Sequence, residues 1–192
     1  MYRKTMCRKT MIIAASLLLL IGVSSASALA GNDDTQQPIH IEADRAEIDE
    51  GHGVMTYTGH VKLRQGGIEV SADTVVVYAT KKGEVQRITA QGQPVHYLQK
   101  AQPPQAGQDS EQKEVRGVSQ RMEYSAESKQ VLLLGKAEFW QGGNRFSGNR
   151  IQYDPKTERV LANAGSDNSV TGDKPRVSVT LQPRGKKADA QP

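Results

Sequence analysis

Four histidines, His40, His52, His60 and His96, are the first residues to test for metal or acid–base chemistry. None stands in a His-x-x-x-His or His-Glu-x-x-His spacing, which would put two imidazoles on one face of a helix. Surface or strand-edge positions are expected for all four, and no metal site. Asp44 and Asp73, taken as a pair, would suit acid–base work on a glycosidic bond. Their counterparts in the second half of the chain are Gln120 and Asn149, which keep the hydrogen-bonding ability and lose the acid. A role at strand bends therefore fits better than catalysis. Trp140 is the single tryptophan and follows Phe139. The pair reads as strand packing, with a sugar-stacking platform as the alternative. The chain has no Gly-x-Ser-x-Gly elbow, phosphate loop or dinucleotide fingerprint. No catalytic residue and no cofactor is assigned, and a non-enzymatic role is expected.

The elements that must position these residues are β-strands. Ile39, Ile41 and Ala43 alternate with His40 and Glu42, and the same period of two recurs in short runs to Val177-Val179-Leu181. Gly, Asn, Asp or Lys interrupts the runs every 8–12 residues, the spacing of an all-β sandwich or barrel. Gln99 to Lys113, with Pro103-Pro104, has no period and reads as a loop.

An internal repeat organises these runs. Displaced by 76 residues, Gly59-His60-Val61-Lys62-Leu63-Arg64-Gln65-Gly66-Gly67 falls on Gly135-Lys136-Ala137-Glu138-Phe139-Trp140-Gln141-Gly142-Gly143 without a gap. A small residue followed by Asp, Asn or Gln occurs at Ala43-Asp44, Ala72-Asp73, Ser119-Gln120 and Gly148-Asn149. Each pair is followed 15 to 19 residues later by a glycine: Gly59, Gly92, Gly135 and Gly165. Apolar parity switches at the first of them, from Ile39/Ile41/Ala43 to Ala46/Ile48. That pattern predicts corners, where a short polar side chain satisfies backbone donors as the strand bends over. Four corners imply strands that fold back as two facing antiparallel sheets, an open jelly-roll-like or solenoid-like architecture.

Composition and charge narrow the class. At 36% hydrophobic and with one Cys, the chain is neither a polytopic membrane protein nor a disulfide scaffold. The net charge of +4 resides in residues 1–30, which hold Arg3, Lys4, Arg8 and Lys9 and no acid. The other 162 residues carry 21 basic and 21 acidic side chains, so the basic pI is no argument for nucleic acid. Met11 to Val23 is an apolar run of about 13 residues, short of the ~20 that span a membrane as a helix. Ala28-Leu29-Ala30 follows it, an Ala-x-Ala pattern before Gly31. This is the layout of a secretory signal peptide cleaved after Ala30. Cleavage would remove Cys7 and leave no thiol chemistry. Residues 31–37 are expected to be flexible, 38–182 to form the β domain, and 183–192 to be a basic disordered tail.

Three segments carry a resemblance: Pro38-Ile39-His40-Ile41-Glu42-Ala43-Asp44, Thr56-Tyr57-Thr58-Gly59-His60-Val61 and Ala72-Asp73-Thr74-Val75-Val76-Val77. Together they resemble the OstA-like domain family of lipopolysaccharide transport, over roughly 38–182. The resemblance implies a twisted, open β-jelly roll enclosing an apolar groove for the lipid A part of lipopolysaccharide. It implies a periplasmic protein that stacks head to tail. An LptC-like inner-membrane protein would meet one end and an LptD-like outer-membrane protein the other. Carried over by position, the lipid-contact candidates are Thr35, Ile39, Ile41, Tyr97 and Tyr124. Lys62, Arg64 and Arg121 are candidates for lipid phosphates. The competing readings are an envelope carbohydrate-binding module or hydrolase using Trp140 and Asp44/Asp73, and a structural oligomer without a lipid ligand.

Overall fold

The computed structural model describes residues 37–101, 113–165 and 176–183. Thr35, the N-terminal segment with its expected cleavage site, most of the Pro-Gln loop and the basic tail lie outside them. Every regular element among the described residues is a strand. In chain order these are β1 (His40–Glu42), β2 (Arg45–Asp49), β3 (Val54–Gln65), β4 (Ile68–Ala79), β5 (Val85–Gln99), β6 (Val115–Ser125), β7 (Gln130–Gln141), β8 (Asn144–Asp154), β9 (Arg159–Asn163) and β10 (Ser178–Thr180). All pair antiparallel in one sheet of order β1-β3-β4-β5-β6-β7-β8-β10, with β2 also on β3 and β9 also on β8.

Each long ladder breaks register once near its middle, between Thr58 and Val61, Ser71 and Thr74, Gln91 and Val95, Val118 and Arg121, and Leu134 and Ala137. A break of this kind bends a strand and lets its alternation restart on the other parity. Aligned across the sheet, the breaks divide it into two halves that share the same long strands. The first half runs from β1 through the second part of β3 to β10. The second runs from β2 through the first part of β3 to β9.

The corner reading of the sequence holds in the coordinates. At Gly59, Gly135 and Gly165, all at positive φ, an added Cβ would overlap the side chains of Asp44, Gln120 and Asn149. The Asp73 carboxylate accepts the Gln93 N–H at 3.2 Å, and Asp44 N–H donates to Gly59 O at 3.0 Å. The repeat extends to backbone angles. Gly59 (φ 83°) and His60 (φ 46°) are matched by Gly135 (φ 76°) and Lys136 (φ 47°). Only a residue without Cβ takes the left-handed region free of strain while another side chain presses on it.

The halves face one another. Gly117 belongs to the first half and Leu133 to the second, yet a Cβ on Gly117 would lie 2.7 Å from Leu133 Cδ1. Phe139 of the first half meets Tyr153 of the second with ring centroids 4.9 Å apart. The core is therefore the space between two halves of a single sheet. Gln99 departs from the sequence reading. Expected at the start of the loop, it is a buried residue of β5 whose Oε1 accepts the Tyr97 hydroxyl at 3.0 Å. The partner on its own strand is what makes an amide tolerable there.

Candidate functional site

Strand pairing lines the interior with rows of side chains, one from each neighbouring strand. In the first half a row reads Ile41, Leu63, Val70, Tyr97, Gly117, Phe139, Phe146, Val179. In the second half two rows face it. One reads Ile48, Met55, Val77, Ile88, Tyr124, Val131, Tyr153, Val160, and the other Ala46, Tyr57, Val75, Ala90, Met122, Leu133, Ile151, Ala162. Alternation at period two puts every member of a row on the same face, and the parity switch at the corners turns both faces inward.

Burial along the rows is complete in the middle and lost at the ends. Val75, Ala90, Phe139 and Ile151 are fully buried. Ile41, Met55 and Tyr57 are half-buried, and Ile48 is 59% exposed. At the other end Phe146, Val160 and Ala162 are half-buried, while Val179 and Leu181 are 48% and 67% exposed. The apolar interior thus opens at both edges of the sheet. At those edges β1 and β2 on one side, and β9 and β10 on the other, each pair with one neighbour only among the described strands. An unpaired edge offers a row of free N–H and C=O groups to another strand.

Four of the five sequence candidates are described, and all four are brought into this interior. Ile39 and Ile41 are half-buried at the β1 opening and pack against the core. Tyr97 shares a row with Ile41 and is buried, and Tyr124 is half-buried in a row of the facing half. The row of aligned partners also contains residues that sequence reasoning missed: Met55, Phe146 and Tyr153. Their periodicity was visible, but their assignment to a shared row needs the register.

The basic candidates fall elsewhere. Lys62, Arg64 and Arg121 are exposed and alternate with the inward Val61, Leu63 and Met122, so they stand on the outer surface. Arg64 Nη1 lies 3.5 Å from Glu42, and Arg121 Nη2 lies 2.7 Å from Glu123. Parity excludes them from the interior. Trp140 is likewise outward, half-buried between Arg116 and Arg145 in the adjoining strands, with the Arg145 guanidinium 5.6 Å from its ring centroid.

Titratable groups serve local geometry. The four histidines are exposed. His60 Nδ1 lies 2.8 Å from Asp44 Oδ2, and this hydrogen bond and the carboxylate charge raise the imidazole above its usual value. His52 in turn lies 2.8 Å from Asp49 and lowers that carboxylate. Asp154 is pushed up by partial burial, but donors from Thr157, Lys156 and Gln130 hold it below the ordinary range. Burial, followed by the nearby Glu158 and Asp154 charges, pushes the Tyr153 phenol far up, so it stays protonated. Among the described residues no group of three or more His, Cys, Asp or Glu side chains is placed to hold a metal ion.

Comparison with known proteins agrees with this geometry. The family described as LptA/(LptD N-terminal domain) LPS transport protein matches residues 40–159. The lipopolysaccharide export system protein LptH of Pseudomonas aeruginosa is 34% identical over 170 residues, covering 88% of this chain and 92% of that one. The lipopolysaccharide export system protein LptA of Escherichia coli K12 is 34% identical over 164 residues, covering 84% and 81%. The crystal structure of Pseudomonas aeruginosa LptH, described as a periplasmic component of the lipopolysaccharide transport device, superposes with a TM-score of 0.66. It is 31% identical and covers 78% of this chain and 99% of that one.

Proposed function

The chain belongs to the LptA/(LptD N-terminal domain) family of LPS transport proteins, and from that premise we propose that it shelters the acyl chains of lipid A between its two sheet halves and bridges the envelope by head-to-tail assembly. The observation that carries this reading is the pair of apolar rows closed in the middle and open at both ends. Each CH₂ group of an acyl chain taken out of water contributes about 0.8 kcal/mol. Several chains per lipid make the gross gain large, so onward movement requires the next groove to bind about as well. Strand addition supplies such a neighbour, because β9 or β10 of one copy can pair with β1 or β2 of the next. The contact joins unlike ends and therefore extends instead of closing.

In this reading the protein is periplasmic, exported by a signal peptide removed after Ala30, and it works without a catalytic step of its own. An LptC-like protein at the inner membrane and an LptD-like protein at the outer membrane would cap the bridge. The alternative use of Asp44 and Asp73 as an acid pair is disfavoured by their bonds within their own corners. The outward, arginine-flanked Trp140 is the residue a glycan-binding reading would need.

Photo-crosslinking separates these readings. A photoreactive residue replaces Ile41 or Tyr124 inside, or Trp140 outside, and each variant is irradiated with lipopolysaccharide or with its delipidated polysaccharide. Acyl-chain sheltering predicts crosslinks from the two inner positions to intact lipopolysaccharide alone. Labelling at Trp140 by both ligands would move the function to glycan binding. No labelling anywhere would leave only a structural oligomer.

A further inference from the structure

The interior contains one polar atom that its own packing does not satisfy. Tyr153 is 1% exposed, and its hydroxyl is buried with no hydrogen-bond partner among the described residues. Tyr97, an inward tyrosine of the facing half, has the Gln99 side chain as its acceptor. Around Tyr153 the strand neighbours are Val131 and Val160, and the facing group is the Phe139 ring, 4.9 Å away and tilted by 44°. Phe139 also meets Phe146 at 6.2 Å. These rings stand just inside the opening between β9 and β10. A chain entering there passes Val160 and Val179 before it reaches them.

A buried hydroxyl without a partner costs free energy, whereas Phe would fill the same space without that cost. The oxygen is therefore explained by a partner that arrives from outside the fold. Apolar neighbours exclude a sugar as that partner and favour a hydrocarbon chain that brings its own oxygen. We infer that the Tyr153 hydroxyl donates to an oxygen carried on an acyl chain, either its ester or amide carbonyl or a hydroxyl along the chain, and so makes the groove selective for oxygen-bearing chains over plain hydrocarbon. The inference rests on the acyl-sheltering reading and adds to it a named selectivity contact.

The test is Tyr153→Phe, made in the exported chain and compared with the parent for lipopolysaccharide affinity and Tm. Two synthetic acyl-glucosamine probes, matched in chain length and differing by one chain hydroxyl, are titrated alongside. Loss of a single buried hydrogen bond should weaken lipopolysaccharide binding about tenfold. Without ligand, the Tm of the variant should equal or exceed that of the parent. Loss confined to the hydroxylated probe assigns the chain hydroxyl as acceptor, and loss with both probes assigns the carbonyl. Unchanged lipopolysaccharide affinity in the variant overturns the inference. So does a lowered Tm, which would mean that the hydroxyl already has an internal partner such as a trapped water. If the parent binds neither lipopolysaccharide nor the probes, it is the sheltering reading itself that fails.

Discussion

Gly117 is where the two halves press most closely, and its missing side chain is what Leu133 occupies. Leu133 is 1% exposed and cannot swing into solvent. Gly117→Ala should therefore lower stability by about 1–3 kcal/mol, the usual cost of overpacking a core. Leu133→Ala alone should cost about 2–5 kcal/mol through the cavity it leaves. Combined, the two changes should cost less than their sum, because the new methyl fills part of that cavity. Urea denaturation of the four proteins in the cycle gives the coupling, and strict additivity would mean that the halves do not touch here. His60 offers a second test on the same scale. Its raised imidazole favours the charged form in the folded state, so any stabilisation is complete below the ordinary imidazole value of about 6.5. It fades as pH climbs through the higher folded value. Both partners are exposed, so the readout is the titration itself. Asp44→Asn should return the His60 midpoint, followed by NMR, toward the ordinary value. A midpoint that does not move would rule out the carboxylate as the cause.

At the scale of elements, the corner decides how a strand can serve both halves. Gly135 and Gly83 have nearly the same backbone, φ 76° and 82°, but only Gly135 has a side chain, Gln120, against its Cα. An Ala at Gly83 meets open space and should lose about 1–2 kcal/mol for the left-handed backbone alone. An Ala at Gly135 should lose more, since it also displaces Gln120 from the bend. Equal losses by thermal or urea unfolding would show that the corner tolerates a side chain. Much of this was legible beforehand. The glycine and its amide or carboxylate recur at fixed intervals, and the 76-residue displacement aligns them without the structure. The row membership of Tyr153 was not legible. Its alternation marks it as inward in β8, but which residue faces it depends on how far the sheet folds over at the corners.

The whole molecule is a folded sheet with two unlike ends, and its assembly should depend on both. Truncation after Val170 removes β10 and the exposed apolar run Val177, Val179 and Leu181 with it. In the strand-addition scheme such a chain should stay monomeric by light scattering where the full chain grows. Persistence of long oligomers would disprove pairing through this end. A milder change is Val179→Lys. The side chain is 48% exposed, so the monomer should unfold at nearly the same denaturant concentration. A charge on an edge strand opposes pairing with another sheet, so growth should be suppressed at low salt. Growth equal to that of the parent would place the junction elsewhere.

The sequence by itself determined the strands, the parity switches, the repeat and the four corners, because each follows from local spacing and from backbone angles that glycine alone adopts freely. It also carried the family, through an ordered series of short segments. Tertiary structure decided what those strands enclose. Register across the sheet turned scattered Ile, Val, Phe and Tyr residues into continuous rows. It put Lys62, Arg64 and Arg121 outside and left the Tyr153 hydroxyl inside without a partner. The physical reason is that alternation fixes only which of two faces a residue takes. Which face is enclosed, and what lies opposite, is set by contacts between residues far apart in the chain.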